Sequence, residues 1–306
     1  MSWKPLVIIL VILITSLGLI IYNSNTNDKA LVFKILPDKD LLRKFLESQY
    51  IEEAGLLRAS VYPTTDDSYK IFVANDNVLG ARALAVLGSP LADDVLTTLN
   101  NVYQGGFNGR IEILLGIDIE GKFYEPYFIE LGTVYSSKLG FNLTIYKEVY
   151  NENKEMTNWY KYADLVVYRG LDSLLEGSRS EAERWFINMT KSWNGYGFYD
   201  EFVKNNEEKY GKKLYQVYKC ALFVYFYRAL YYANSDIIRD YNHILSKCLE
   251  IIVMAQDSEY GSIHTDYEVR NGEIVITGDM NVETTSIVVL ALYSNYPEMI
   301  GKRMIK

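Results

Sequence analysis

Apolar and polar positions divide this chain into regions of different rhythm. From Pro5 to Tyr22 the sequence is apolar and carries no charge. A run of about 18 such residues is near the minimum that crosses the hydrocarbon layer of a bilayer as a helix. Lys4 and the free amino terminus precede it, and the polar residues Asn23, Asn25, Asn27 and Asp28 follow it. That asymmetry predicts a single-pass anchor in the cell membrane with its N-terminus inside and the main domain outside. A cleavable secretory signal is the alternative, but its apolar core usually runs about 7 to 15 residues before a small-x-small site. Here Leu17, Leu19, Ile20 and Ile21 extend the run. The expected division is an anchor over 1–22, a polar stalk over 23–36 and one domain over 37–306.

Within the domain the spacing of apolar residues is mostly helical. Pro37 and Asp38 open a helix through about Glu53, closed by Gly55. Another is expected from near Asn77 to Gly88, and Ser89-Pro90 starts a third through about Tyr103. From about 108 to 150 the pattern changes to RIEILLGI, EPYFIEL and FNLTIYKEV, read as strands of a small β-rich insertion. Helical spacing resumes at Tyr160, Ala163, Val167, Leu171 and Leu174 and stops at Gly177. Ser178 and Glu181 then form a candidate capping box for a helix ending near Lys191. Two further helices span about Lys213–Ala233 and Ile237–Ala255, and a last one about Val282–Tyr293.

The chain has two cysteines, Cys220 and Cys248, one in each helix of the 213–255 pair. The short link Asn234-Ser235-Asp236 forces an antiparallel hairpin, and the two cysteines stand equally far from a pivot at Asn234. They are expected level with one another. A disulfide between the helices is one reading, favoured by an oxidising exterior; two buried thiols is the other, because the geometric window is narrow.

The segment CALFVYFYRALYY is apolar on nearly every side, as in a helix covered by neighbours all round, whereas its partner from Ile237 has one charged face. Inner and outer helices are thus expected. An internal similarity points the same way: WFINMTKSWNGYGFYDEF and CLEIIVMAQDSEYGSIHTDY each pass from an amphipathic helix through an aromatic and glycine turn into a polar segment.

Helical hairpins joined by turns such as GYGFYDEF and YGSIHTDY, with FVANDNVLGARAL and NVETTSIVVLALYS, resemble the α/α-toroid folds, among them the six-hairpin glycosidases and the terpenoid-cyclase-like toroids. The resemblance spans roughly Leu41 to Tyr296 and implies a mainly α fold, a toroid of helical hairpins, interrupted by the β-rich insertion. The sequence is short for a complete ring and gives clear evidence of only four or five hairpins.

Composition narrows the partners. The 306 residues carry a formal net charge of −8 without a basic block, which argues against a nucleic-acid surface. The 27 tyrosines supply rings suited to cores or to stacking on sugars. Two sequons, at Asn142 and Asn188, fit an exterior glycoprotein. The two histidines, His243 and His264, belong to no metal-ligand spacing, so no metal or other cofactor is expected. No phosphate loop or serine elbow is present.

The glycosidase resemblance implies carboxylates and aromatics at one mouth of the ring, acting on a saccharide through an acid and a base or nucleophile. Asp76 in VANDNVLG, Asp200 in GFYDEF and Glu283 at the start of the last helix are the candidate catalytic acids, with Tyr196, Tyr199 and Tyr267 as a sugar-stacking floor. Each has a structural alternative. Asp76 can be a helix N-cap, Asp200 a solvated loop acid, Glu283 a favourable charge at a helix start, and the tyrosines packing residues. No two acids form a compelling pair by spacing. Two readings follow: a membrane-anchored extracellular toroid that binds or hydrolyses carbohydrate, or a non-enzymatic envelope scaffold meeting envelope protein partners through the tyrosine-rich surface or the insertion. A lipid- or peptide-handling toroid ranks below both, because the aspartate-rich motif of the cyclases is absent.

Overall fold

A computed structural model describes residue 33 and residues 36–61, 68–119 and 122–303. The expected anchor over 1–22 and most of the stalk lie outside the described residues. Among those described, no helix is long and apolar enough to cross a membrane. About half of the chain is helical, with three small sheets.

In chain order the elements are α1 (Lys39–Ser48), the two-residue strands β1 (Tyr50–Ile51) and β2 (Leu56–Leu57), β3 (Ile71–Val73), α2 (Ala74–Val86), α3 (Leu91–Val102), the single turn α4 (Ile111–Leu114), β4 (Tyr124–Ser136) and β5 (Phe141–Glu155). There follow α5 (Ala163–Leu175), α6 (Arg179–Thr190), α7 (Glu201–Tyr210), β6 (Leu214–Gln216), α8 (Val217–Tyr232), α9 (Asn242–Met254), β7 (His264–Arg270), β8 (Glu273–Met280), α10 (Val282–Tyr293) and α11 (Tyr296–Lys302).

Helices α2, α10, α8 and α5 pack side by side in that order, and the less fully buried α3, α9, α11 and α6 lie against them. The inner four are buried around most of their circumference. Inner helices can have this composition because no face meets water. Between α6 and α8, Phe186 stacks on Phe223 at 5.3 Å between ring centres and meets Phe226 edge-on at 5.4 Å, a favoured aromatic geometry.

Short strands lead into three of these inner helices: β3 into α2, β6 into α8 and β8 into α10. Asn77 buries its amide between β2 and the end of β3, donating to the Leu57 and Val73 carbonyls at 2.9 and 3.0 Å and accepting from the Leu57 N–H at 2.6 Å. The start of α10 is tied to the same strip of backbone, because the Val282 N–H donates to the Ala59 carbonyl at 2.9 Å and the Ala59 N–H donates to the Ile71 carbonyl at 2.9 Å. The first turns of α2 and α10 are thereby fixed relative to one another.

Several boundaries differ from the sequence expectation. α1 ends at Ser48 rather than about Glu53, since the chain turns into the β1–β2 ladder. RIEILLGI is not a strand; its apolar residues fill the buried turn α4. Ser178 occupies the N-cap position of α6 without a side-chain cap bond, and Glu181 binds Arg184 and Trp185 instead of closing a box. The insertion is one long antiparallel hairpin, β4–β5, whose strand β5 also pairs in parallel with β3. Asn142 is exposed on β5, while Asn188 lies half-buried within α6, where the sequon's Thr190 hydroxyl donates to the Ile187 carbonyl at 2.8 Å.

Candidate functional site

The first turns of all four inner helices open into one pocket of about 190 Å³. α2 contributes Asn75 and Asp76, α5 contributes Asp164 and, one turn further, Tyr168, α8 contributes Tyr218, and α10 contributes Glu283. Asn108, Arg110 and Ile111 enter from the loop before and the start of α4, and the β4–β5 hairpin supplies Phe128 and Glu148. Four carboxylates therefore converge from four separate elements. Helix N-termini carry partial positive charge, which is why acids can be gathered here.

The hairpin is held in register by Asn75. Its Oδ1 accepts from the Glu148 N–H at 2.7 Å, while its Nδ2 donates to the Gly106 carbonyl at 2.8 Å and to the Glu148 carbonyl at 3.2 Å. Gly106 lies so close to the first turn of α2 that a side chain there would run into the Ala74 carbonyl. The loop carrying Asn108 and Arg110 can approach the pocket only because this residue lacks one. Asn108 Nδ2 in turn donates to Glu148 Oε1 at 2.8 Å.

Charge is unevenly compensated in this pocket. Asp76 and Glu283 accept no hydrogen bond among the described residues. Burial, reinforced by the charges of Glu283 and Glu148, pushes the Asp76 carboxyl well above the usual carboxylate range. Burial likewise lifts Glu283 to about 7, with Glu148 and Asp164 adding to the rise and Arg110 opposing it. Arg110 lies 5.5 Å from the Tyr150 ring centre, and burial raises the Tyr150 phenol. Tyr168 and Tyr218 are raised by burial as well. The pocket can thus hold protonated carboxyl groups beside other carboxylates near neutral pH, as acid–base chemistry requires.

Two of the three expected acids, Asp76 and Glu283, are brought together here. Asp76 is not the N-cap of its helix: α2 begins two residues earlier, after Val73, so Asp76 stands inside the first turn. Asp200 requires correction as a catalytic candidate, for it does not line the pocket. It is 3 % exposed and caps α7, its Oδ1 accepting from the Val203 N–H at 3.3 Å. Its Oδ2 accepts from the Ala163 N–H at 2.9 Å and from Lys219 Nζ at 2.5 Å. Lys219 Nζ also stands 3.9 Å from Asp164 Oδ1, so Asp200 reaches the pocket only through this ion-pair chain.

The expected tyrosine floor is not part of the pocket either. Tyr267 is 1 % exposed, stacked on Tyr215 at 5.3 Å, and its hydroxyl donates to the Tyr196 carbonyl at 2.9 Å. Gly197 lets the turn press onto this pair, since a side chain there would strike both rings. Tyr199 gives its hydroxyl to Glu207, and Tyr196 stands partly exposed on the same turn. The aromatic lining comes instead from Phe128, Tyr168 and Tyr218. Glu148 and Asp164, both missed from sequence, had one usable signal: Asp164 holds the same place in the first turn of α5 that Glu283 holds in α10.

Cys220 and Cys248 are buried free thiols whose sulfurs lie 2.6 Å apart, as the hairpin pivot at Asn234 leads one to expect. Compared with family models, curated proteins and solved structures, the chain matches none.

Proposed function

We propose that this chain is a membrane-anchored, extracellular α/α-toroid protein that hydrolyses a glycosidic bond in the pocket at the N-terminal ends of its inner helices. The observation that carries this reading is the convergence of Asp76 and Glu283, from two different inner helices, with both carboxyl groups raised by burial and by neighbouring carboxylates, Glu148 among them in each case. The toroid itself is supported by the inner row α2, α10, α8 and α5 with its outer helices.

In this reading Glu283 is the general acid. A carboxyl group titrating near 7 keeps its proton at neutral pH and can pass it to the oxygen that leaves the sugar. Asp164, facing the Lys219 ammonium, is the anionic partner that takes a proton from the attacking water. The C–O bond breaks as the leaving oxygen gains the acid's proton, and water supplies the new hydroxyl. Glu148 stands on the hairpin side of the pocket, close to the oxocarbenium-like centre that develops, while Asp76, pushed well above the usual carboxylate range, holds its proton beside it. Phe128, exposed at the rim, gives the ring an apolar face to rest on. The pocket is smaller than the about 300–1,000 Å³ of drug-sized sites, so it suits one ring-sized group.

The test is reducing-sugar release from a broad oligosaccharide panel by the full chain in detergent. Glu283→Gln is expected to lower kcat about 10²–10⁴-fold. Activity unchanged in both Glu283→Gln and Asp76→Asn would remove the assignment. A scaffold role is favoured by one observation only: Tyr127, Phe128, Ile129, Leu131 and Tyr135 are exposed along β4, an apolar stretch available to a protein partner.

A further inference from the structure

We infer that the saccharide taken by this pocket is cationic, bearing free amino groups; this rests on the carbohydrate reading and names its substrate class. The lining carries Asp76, Glu148, Asp164 and Glu283 against one guanidinium, Arg110. Among the described residues the other cation reaching this set is Lys219, which pairs with Asp164 and leaves Asp76, Glu148 and Glu283 facing Arg110 alone. Lys219, the nearest lysine, directs its ammonium at Asp200, 2.5 Å away, and remains 3.9 Å from Asp164. Burial and crowding make these four carboxyl groups costly to charge, and a neutral ligand that displaces the remaining water raises that cost. An ammonium group on the ligand reverses the sign of the effect.

The distribution of the acids says what kind of cation fits. Among the described residues, only Asp118, Asp172 and Glu176 bring three candidate ligand atoms within 4.8 Å of one another. They lie elsewhere, and Asp172 there is paired with Arg169 at 2.8 Å. The pocket acids, set on α2, α5, α10 and β5, are too dispersed to close around a bare metal ion, which needs several oxygens at about 2.0–2.6 Å. They can surround a ring-sized body whose charge sits on its edge. Phe128, 58 % exposed at the rim and opposite Glu148 in the hairpin register, supplies an apolar face beside a carboxylate. An aminated sugar ring has both of these properties: an apolar face and an ammonium at its edge.

The experiment uses three probes of equal length that differ only at one ring substituent: oligomers of glucosamine, N-acetylglucosamine and glucose. Binding to the full chain in detergent is measured by calorimetry, with product release followed in parallel. The glucosamine oligomer is expected to bind at least about tenfold more tightly than either neutral oligomer at low salt, an advantage that shrinks as salt is raised. Glu148→Gln keeps the acceptor for Asn108 while removing the charge, and is expected to erode the preference with an unchanged melting curve. Equal binding or turnover of the neutral oligomers would overturn the cationic class while leaving the glycosidase reading intact. Binding of none of the three would overturn the class, and silence across the broader panel would remove the glycosidase reading as well.

Discussion

Asp200 and Glu283 look alike in sequence, each an acid at the start of a helix beside an aromatic or polar turn, yet the fold treats them in opposite ways. Asp200 is enclosed and fully engaged, with two backbone N–H groups and the Lys219 ammonium on its two oxygens. Glu283 opens into a pocket, accepts no hydrogen bond among the described residues and faces other carboxylates. The lesson is that an acid's partners, rather than its position at a helix terminus, separate an anchoring carboxylate from a reactive one. A carboxylate whose oxygens are all engaged by the protein leaves no room for a ligand.

The largest effect that would sharpen this comparison comes from breaking the anchoring side. Asp200→Ala strips Lys219 of its buried counter-ion and leaves the Ala163 and Val203 N–H groups without their acceptor. Removing one partner of a buried pair costs about 3–5 kcal/mol. Unfolding in urea should show that loss, with Asp200→Asn losing less because it still accepts hydrogen bonds. A loss within experimental error for Asp200→Ala would mean that the ion pair does not anchor α7 and α5.

Next in size is the neighbouring contact on the same helix turn. Lys219 and Cys220 are consecutive, and Cys220 faces Cys248 on α9 with the sulfurs 2.6 Å apart. If the domain faces an oxidising exterior, as proposed, this pair should form a bridge, and closing a loop of this length contributes about 3.5 kcal/mol. Thiol titration of the full chain, prepared without reductant and assayed under denaturing, non-reducing conditions, should count no free thiols; two would exclude the bridge.

On the reactive side the expected effect is smaller and has the opposite sign. The folded-state pKa of Glu283, about 7, lies above its unfolded value. The folded chain therefore binds that proton more tightly, and protonation favours folding. The contribution is fully present below the ordinary carboxylate range and is lost as pH rises through about 7. Asp172 and Asp266, each raised by burial to about 6, add to the same slope at lower pH. Glu283→Gln should stabilise the protein at pH 8 by on the order of 2 kcal/mol and flatten the slope between pH 6 and 8. Destabilisation at pH 8 would mean that the carboxylate is satisfied after all.

Much of this contrast was legible in the sequence, though not the whole of it. α10 was expected at its observed limits, Val282–Tyr293, and the level cysteines followed from a short link and helical spacing. Asp76 and Glu283 emerged as candidates on the strength of a resemblance. Glu148 did not, because it sits on a strand that is brought to α2 only by the pairing of β5 with β3, a contact between distant segments. The hairpin β7–β8 was overlooked for a local reason: Thr, Asp and Glu dilute its alternation, and it reads as a polar loop. Tyr267 was misjudged because its ring is buried by Tyr215, 52 residues away in the chain and paired with it across β6 and β7.

The smallest expected stability change belongs to Phe128, and its smallness is what makes it informative. Exposed at 58 %, its ring gives up little packing when truncated, and surface substitutions of this kind usually fall within about 0.5 kcal/mol of zero. If Phe128 is only a feature of the hairpin, Phe128→Ala should change neither stability nor catalysis. If it is the platform on which a ring rests, KM should rise while kcat stays near its original value, because the stacking contact is made in the ground state and the transition state alike. Phe128→Trp should keep or lower KM. A fall in kcat with KM unchanged would place Phe128 with the reacting groups instead, and would redraw the line between the side of the pocket that holds the sugar and the side that exchanges protons with it.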